Sequence, residues 1–240
     1  MAFTNKLDRE KKYTRKELHN LLCETMEGCS YNSFNWYINQ MISGGVIHKY
    51  GRNTYMAGNA SRKDYMPRYG EKSGAIIAFM EKVYPDTDYS LFETSMLNEF
   101  LNHQIAKNTF FLYVEKELSD FVFRDIEDTT RDTVLIKPGK SDLRRYWKPD
   151  SIIILDRVSE APAGRIQKYD TPLEKLFIDL ISDQSLMYMY SQSEYPEMLQ
   201  LAYEKYYMDR HKLSRYARRR GKLQELQKAM IMGGIEVDNT

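Results

Sequence analysis

Cysteine and histidine are scarce in this sequence, and long apolar runs are absent. The two cysteines, Cys23 and Cys29, and four scattered histidines offer no zinc-site spacing. No run approaches the ~18 apolar residues that a membrane helix needs. The charged N-terminus also lacks the apolar segment of a secretory signal. We therefore expect a reduced, cytoplasmic protein that binds no metal, no cofactor and no membrane.

Charge is unevenly distributed along the chain. The net charge of +1 by itself argues against nucleic-acid binding. However, residues 1–72 contain 12 Lys/Arg against 7 Asp/Glu (+5), residues 73–208 contain 15 against 23 (−8), and residues 209–240 contain 8 against 4 (+4). Two basic ends thus flank an acidic middle, and the segments suit different partners. With 240 residues, 42% of them hydrophobic, the chain can form one large or two small packed domains.

The stretch Tyr13–Ala57 predicts two helices. Thr14 and Glu17 form a capping-box pattern at the start of the first helix, in which leucines recur at helical spacing. After a glycine-containing turn, Ser30 can cap a second helix. From Phe34 onwards its apolar residues share one face, so the second helix is predicted to be amphipathic.

A hairpin completes this pattern. Ser43-Gly44-Gly45 stops the second helix, and two short strands, Val46–Tyr50 and Thr54–Met56, flank a turn that contains Arg52. Helix, turn, helix and hairpin in this order are typical of a winged helix-turn-helix. We therefore predict that residues 1–58 form a DNA-binding domain of this kind.

The second predicted helix carries amide side chains opposite its apolar face. In helix-turn-helix proteins this helix reaches base edges in the major groove, where Asn and Gln suit adenine. The alternative is a small core with polar residues on a solvated face. We favour DNA binding to an operator and place Trp36 in the core. The predicted DNA-binding residues are Lys12, Arg15, Lys16, Asn32, Ser33, Asn35, Asn39, Gln40 and Arg52.

The rest of the chain predicts a linker and a second domain. Residues 59–70 collect Gly, Ser, Asn and Pro without periodicity, which is typical of a linker. In residues 71–240, strands and helices alternate as far as Asp156 and only helices follow, which indicates a mixed α/β domain with a helical C-terminal part. Within it, the polar stretch Lys137–Asp150 is predicted to be a loop. The predicted strands are Tyr89–Glu93, Thr109–Val114, Thr133–Ile136 and Ser151–Leu155.

Several motifs together resemble a known family. They are Thr171–Leu180 with its Pro-x-Glu-Lys start, Leu213–Arg220, Glu115-Lys116 and the N-terminal wing. In these motifs the chain resembles the AbiEi-like antitoxins of bacterial abortive-infection systems and related winged-helix transcriptional regulators. The resemblance implies that the N-terminal module represses its own operon. It also implies that the C-terminal domain counters a nucleotidyltransferase-like toxin.

Charged residues near the C-terminus form a second candidate site. Glu174 and Lys175, in the first turn of a predicted helix, are either a surface pair or a place where Glu174 is buried against an arginine of residues 215–220, with Asp179 able to join. Further along the chain, Arg215, Arg218, Arg219 and Lys222 are spaced so that they share one face of a predicted helix. Because like charges so placed repel one another, we expect a carboxylate, a phosphate or solvent opposite them. The predicted residues for binding a partner or a phosphate are Glu174, Lys175, Arg215, Arg218, Arg219 and Arg220.

No pattern in the sequence indicates a catalytic centre. Asp86-Thr87-Asp88 is similar to a nucleotidyltransferase carboxylate pair but lacks the usual Gly-Ser helix start, and Pro149-Asp150 is not followed by the Glu-x-Lys of a nuclease. We therefore predict a regulator rather than an enzyme. The second hypothesis is a nucleic-acid-processing effector, a nuclease or nucleotidyltransferase that its winged helix directs to the substrate.

Overall fold

The computed structural model of the protein describes residues 6–8, 11–25, 31–43, 45–51, 53–58, 62–164 and 166–237. The chain divides into two compact units. Residues 1–65 and 203–215 form the first, and residues 66–202 and 216–240 form the second. Helices and two sheets, of three and four strands, make this the predicted α/β class of protein. No helix within these described ranges is long and apolar enough to cross a membrane.

The first unit opens with a strand, two helices and two further strands. They are β1 (Lys12–Thr14), α1 (Arg15–Cys23), α2 (Tyr31–Ser43), β2 (Ile47–Gly51) and β3 (Thr54–Ala57). The strands form an antiparallel sheet in the order β1-β3-β2. The two helices and the hairpin lie where the sequence predicts them, whereas β1 was not predicted. It directly precedes α1, and Thr14 is both its last residue and the N-cap of that helix.

A capping box begins α1, and a glycine with positive φ follows the end of α2. Thr14 and Glu17 form the predicted capping box, with each side chain bound to the other residue's backbone N–H. At the end of α2, Gly45 has φ +68° and donates its N–H to the carbonyl of Ile42. A left-handed residue at this place satisfies helix carbonyls at little cost only if it is glycine. The helices and one sheet face then share a core of Tyr13, Leu18, Leu22, Phe34, Ile38, Met41, Ile47 and Tyr55.

The second face of this sheet packs against residues 203–210. Lys12 and His48 both pair with Met56, so they lie opposite the core-facing Tyr13 and Tyr55. His48 stacks on the ring of Tyr207. Backbone hydrogen bonds from Tyr207 to Lys63 and from Lys63 to Lys205, each 3.1 Å, hold the segment in place. The predicted second domain was continuous from 71 to 240. Instead, residues 203–215 group with the first unit because they cover this sheet face.

The second unit is built on a four-stranded sheet. Its strands are β4 (Ser90–Glu93), β5 (Thr109–Val114), β6 (Val134–Ile136) and β7 (Ser151–Asp156), and its helices are α3 (Glu71–Val83), α4 (Ser119–Thr129), α5 (Lys140–Tyr146), α6 (Leu173–Ser182), α7 (Gln184–Met187) and α10 (Leu223–Met232). The helices α8 (Tyr195–Lys205) and α9 (Arg210–Arg219) each cross a unit boundary. Short 3-10 helices occupy Thr94–Glu99 and Gln192–Glu194.

Both faces of this sheet are covered. The strand order is β4-β5-β7-β6, with β5, β7 and β6 parallel and β4 antiparallel at one edge. Alternate residues of β5, such as Leu112, pack with α3 and α4, and those between them face the opposite side. All six residues of β5 are buried, as expected for a central strand. Helix α5 corrects the prediction of a loop at 137–150; its single buried apolar residue, Leu143, left no period to detect in the sequence.

Candidate nucleic-acid interface

Helix α2 presents a row of amide side chains to solvent. Asn35, Asn39 and Gln40 are exposed, and Ser33 is half-buried. The buried residues Phe34, Ile38 and Met41 hold the other side of the helix in the core. Because residues four apart on a helix lie one above the other, Asn35 and Asn39 form one continuous edge. The side chain of Asn32 lies outside the described residues.

Arg15 is held beside this edge. Its guanidinium donates to Oδ1 of Asn35, and its other amino group lies 3.5 Å from the Tyr55 hydroxyl. The guanidinium carbon lies 5.4 Å from the centre of the Phe34 ring. The Arg15 backbone N–H donates to the Asn53 carbonyl at 2.9 Å, which joins the start of α1 to the hairpin turn. A positive charge is thereby fixed next to the exposed amides, in a position that needs no reordering on binding.

The other predicted basic residues have different surroundings. Lys12 on β1 and Lys16 in the first turn of α1 are both exposed. The ammonium of Lys12 lies 4.4 Å from the centre of the Tyr50 ring. Arg52, predicted at the tip of the wing, lies outside the described residues. Of the predicted cations, Arg15 therefore lies beside the amides of α2, and Lys16 lies in the first turn of α1. Lys12 lies against Tyr50 on the second face of the sheet.

Trp36 is a correction to the prediction, which placed it in the core. Its side chain is 59% exposed, and its ring meets the Tyr37 ring edge to face at a centroid distance of 5.0 Å. The error arose because Trp36 is adjacent to apolar positions of α2 in sequence but points about 100° away from each neighbour on a helix. An exposed tryptophan therefore lies on the same side of the helix as the amides.

The sequence reasoning missed basic residues that line a cavity next to the sheet. Lys49, Arg62 and Arg210 line a cavity of about 200 Å³ together with His48 and Tyr50. Arg210 is distant in sequence from the hairpin, and nothing in its local pattern indicates this position. Lys49 lies in β2 opposite Tyr55 and could have been found in the sequence as a cation of the hairpin.

Several residues predicted to bind a partner form a buried ion network in the second unit. Lys175 Nζ lies 2.5 Å from Asp179 Oδ2, and Arg220 binds both Asp179, at 3.0 Å, and Asp183. The sequence named Glu174 as the centre of such a pair and Asp179 as an addition. The structure makes Asp179 a centre of the network, and it buries Glu174 as well.

Two tyrosines complete the network. Tyr216 donates to Asp179 at 2.8 Å, and Tyr113 donates to Asp183 at the same distance. The Lys175 ammonium lies 3.4 Å from the centre of the Tyr113 ring. Lys175 and Asp179 are each 1% exposed in their side chains. A lysine so placed is not on the surface, so Lys175 cannot bind a partner directly, contrary to its prediction.

The protonation of these groups follows from burial and their neighbours. Burial raises the pKa of Asp179 above its usual value and Asp183 adds to the rise, whereas Lys175 and Arg220 oppose it. Burial also raises the pKa of Tyr113 well above 10.0, so its hydroxyl stays protonated and donates. Burial lowers the pKa of Arg220, but the two carboxylates raise it by more, and Arg220 stays charged. The two cations, Lys175 and Arg220, thus balance the two carboxylates, Asp179 and Asp183. Their ion pairs join α6 and the residue that follows it to the end of α9.

The remaining basic residues of this candidate site are accessible. Arg215 is exposed in the first unit. Arg218 and Arg219 are exposed in the second, where Arg219 donates to the Ser159 hydroxyl. These arginines, unlike Lys175 and Arg220, can meet a carboxylate or phosphate of another molecule.

Carboxylates are not grouped for metal binding in the part of the chain that the structure describes. No three His, Cys, Asp or Glu residues there lie close enough to hold a metal ion. Of the Asp86-Thr87-Asp88 pattern, Asp88 is exposed and pairs with Arg157 at 3.1 Å.

The chain belongs to the DUF6577 family, described as a family of unknown function, whose model matches residues 33–233. The match extends from α2 to the end of α10 and so includes parts of both units. No curated protein matches the sequence.

Proposed function

For this member of a family of unknown function, we propose that the protein is a cytoplasmic, DNA-binding transcriptional regulator whose first unit is a winged helix-turn-helix. The exposed amide edge of α2, with Arg15 bound to Asn35 at its side, is the observation that carries the proposal. In this proposal α2 is the recognition helix in the major groove of an operator, and the β2–β3 hairpin is the wing.

The two asparagines have different parts in base recognition. Asn39 is exposed and can donate to and accept from adenine, a pair worth about 1–3 kcal/mol of discrimination. Oδ1 of Asn35 already accepts from Arg15, so its amide nitrogen is the group turned towards the DNA. Asn35 therefore suits a base that presents an acceptor in the major groove, such as guanine or thymine.

Phosphate contacts come from the start of α1. Arg15 and Lys16 provide cations there and Lys12 provides one on the preceding strand β1, and such contacts fix the position of a protein on DNA without reading sequence. Each neutralised phosphate releases counterions, so the affinity should fall steeply with salt. Trp36, exposed on the same helix, supplies apolar surface for the sugar-phosphate backbone or a thymine methyl.

The test uses the full chain and a labelled duplex from the region upstream of its own gene, with a scrambled duplex of equal length. Asn39→Ala should reduce the preference for the promoter duplex by about tenfold. Lys16→Ala should weaken binding to both duplexes alike and lower the salt slope by about one. Lys82→Ala, which removes an exposed lysine of α3 in the second unit, is the charge-matched control and should bind as wild type.

Two results would contradict this proposal. One is a folded full-length protein with no affinity for either duplex. The other is equal affinity for both duplexes that Asn39→Ala leaves unchanged. In either case the amide edge of α2 would be an ordinary solvated surface.

We propose further that the regulator is an antitoxin of the AbiEi-like kind that it resembles. It would repress its own operon through the first unit and bind a nucleotidyltransferase-like toxin through the second. The exposed Arg218 and Arg219 support a protein-binding role, because the arginine fork engages carboxylates through two hydrogen bonds. Arg220 is excluded from this role by its place in the buried network.

This second proposal is tested by co-expression with a nucleotidyltransferase-like toxin encoded beside the gene. Arg218→Ala with Arg219→Ala should abolish protection of the cells while the protein stays folded. The control removes two exposed lysines of the same unit, Lys82 and Lys228, and should protect as wild type. Protection by the double arginine variant would show that the pair is not a toxin contact.

A further inference from the structure

A cleft of about 810 Å³ opens on the surface of the second unit. Its walls are residues 101–107, which precede β5, Trp147, which follows α5, and residues of the segment 188–194, which follows α7. Thr109 of β5 pairs with Ser151 of the parallel strand β7, so the cleft lies at the edge where these two strands begin. Sites for small molecules typically measure about 300–1000 Å³, and the cleft is large enough for such a ligand.

Three aromatic side chains line the cleft, and two of them are tied to the protein by their polar atoms. The indole of Trp147 donates to the Thr109 hydroxyl at 2.9 Å, and the Tyr190 hydroxyl donates to the Leu180 carbonyl at 3.1 Å. Tyr188, the third, is 44% exposed. Because these hydrogen bonds fix two of the rings, the walls offer apolar surface at a low cost in conformational entropy. Such a surface suits a planar ring that stacks on it.

The loop that forms one wall is held in shape by amide side chains. Asn98 accepts from the Ile105 backbone N–H at 2.6 Å and donates to the Ile105 carbonyl at 3.2 Å. Asn102 donates through its backbone N–H to Glu194 at 3.2 Å and through its side-chain amide to Glu197 at 2.8 Å. The cleft is therefore preformed, and a ligand need not order this wall on binding.

The polar groups of the lining differ in what they already bind. The Glu194 carboxylate accepts from Asn102, lies 3.5 Å from Nδ1 of His103 and is only 16% exposed. In the part of the chain that the structure describes, neither Lys107 nor Gln104 has a hydrogen bond or an ion pair, and both are exposed. Lys107 therefore keeps three N–H donors for an anionic group, and the Gln104 amide can donate to and accept from the edge of a ring.

We infer that this cleft binds a small ligand that combines a planar aromatic ring with an anionic group. The ring stacks on Trp147 and Tyr188, and Lys107 binds the anionic group. Nucleoside monophosphates and heteroaromatic carboxylates share this chemistry, and the Gln104 amide suits the ring nitrogens of either. The inference goes beyond the proposed function and does not depend on DNA binding, because every residue of the cleft belongs to the second unit.

The test follows Trp147, which is both a wall of the cleft and a fluorescent reporter. The full chain carries Trp36→Phe, so that Trp147 is its single tryptophan. This reference protein is titrated with AMP and its uncharged counterpart adenosine, with nicotinate and its uncharged counterpart nicotinamide, and with ribose 5-phosphate, which has no aromatic ring. Fluorescence and isothermal titration calorimetry are recorded for each ligand.

At least one of AMP and nicotinate should bind saturably, and the one that binds identifies the kind of ligand. Its affinity should exceed that of its uncharged counterpart about tenfold, because the hydrogen bond from Lys107 to the anionic group is charge-assisted. Ribose 5-phosphate should show no binding, because it has no ring to stack on Trp147 and Tyr188.

Substitutions at the cleft separate the two parts of the ligand. Lys107→Gln should weaken binding of the charged ligand about tenfold and leave its uncharged counterpart unchanged. Tyr188→Ala should weaken both about tenfold through loss of stacking, whereas Tyr188→Phe, which keeps the ring, should bind as the reference protein does. Both side chains are exposed, so the variants should fold. Lys82→Gln, which removes an exposed lysine of α3, is the charge-matched control.

Two results would overturn the inference. One is a folded protein that binds neither AMP nor nicotinate by either method. The other is binding that Lys107→Gln and Tyr188→Ala leave unchanged, because the ligand would then lie elsewhere. Neither result bears on DNA binding by the first unit, and a protein without affinity for DNA can still bind the ligand of the cleft. The two proposals therefore stand or fail independently.

Discussion

Replacing Lys175 by methionine tests the buried network most directly. The four charged groups, Lys175, Arg220, Asp179 and Asp183, sum to zero, and their side chains are only 1–18% exposed. Methionine keeps most of the apolar stem of lysine and removes the cation. The change leaves a net negative charge in a site that water scarcely reaches.

The expected loss is large. Removing one partner of a buried ion pair typically costs about 3–5 kcal/mol, since the other charge stays buried. The contact of the Lys175 ammonium with the Tyr113 ring, at 3.4 Å, is lost at the same time. For a unit of this size, 1 kcal/mol corresponds to about 2–4 °C in Tm. The second unit of Lys175→Met should therefore unfold about 6–20 °C lower than wild type.

The loss should depend on pH. Burial raises the pKa of Asp179, and Lys175 is the first of the groups that oppose this rise. Without Lys175 the pKa rises further, and a carboxyl with a raised folded pKa loses stability as the pH rises through that pKa. The difference between wild type and variant should thus be smaller at pH 5 than at pH 8. Adding Asp179→Asn restores charge balance and should recover at least half of the loss at pH 8.

The assay can isolate the second unit. Trp36 and Trp147 are the two tryptophans of the chain, so Trp36→Phe leaves Trp147 as the reporter. Its indole donates to the Thr109 hydroxyl at 2.9 Å, and unfolding of the sheet should alter its fluorescence. Lys82→Met, on the surface of α3, is the matched control and should stay within about 0.5 kcal/mol of wild type. A Lys175→Met variant as stable as this control would refute the reasoning.

Three further predictions concern the first unit, with Trp147→Phe leaving Trp36 as its reporter. Thr14→Ala should cost about 1 kcal/mol through loss of the capping box, and an unchanged unfolding free energy would show the cap to be dispensable. Gly45→Ala should cost about 1–2 kcal/mol because its φ of +68° is unfavourable for alanine; no loss would mean that the turn relaxes. Trp36→Ala, followed by circular dichroism, should change stability by less than about 0.5 kcal/mol yet weaken duplex binding. Equal duplex affinity would remove Trp36 from the interface.

Local patterns in the sequence were sufficient for most elements of secondary structure. The capping box at Thr14, the amphipathic period of α2 and the apolar runs of β5 and β7 each lie within a few residues of chain, and the structure has these elements there. The exposure of Asn35 and Asn39 also follows from the amphipathic period of α2, because the apolar residues of this helix place its other side in the core. Their role in binding DNA stays a prediction.

Tertiary structure decided what depends on residues far apart in the chain. Lys175 carries a charge that its sequence context assigns to the surface, and it is buried because Asp179, Arg220 and the Tyr113 ring surround it. Residues 203–210 complete the first unit because one face of a three-stranded sheet still needs a cover after its helices have packed on the other. Helical or strand periodicity reports which side of an element is apolar. It does not report which distant segment will pack against that side. Here such long-range contacts bury the ion network around Asp179 and cover the second face of the first sheet.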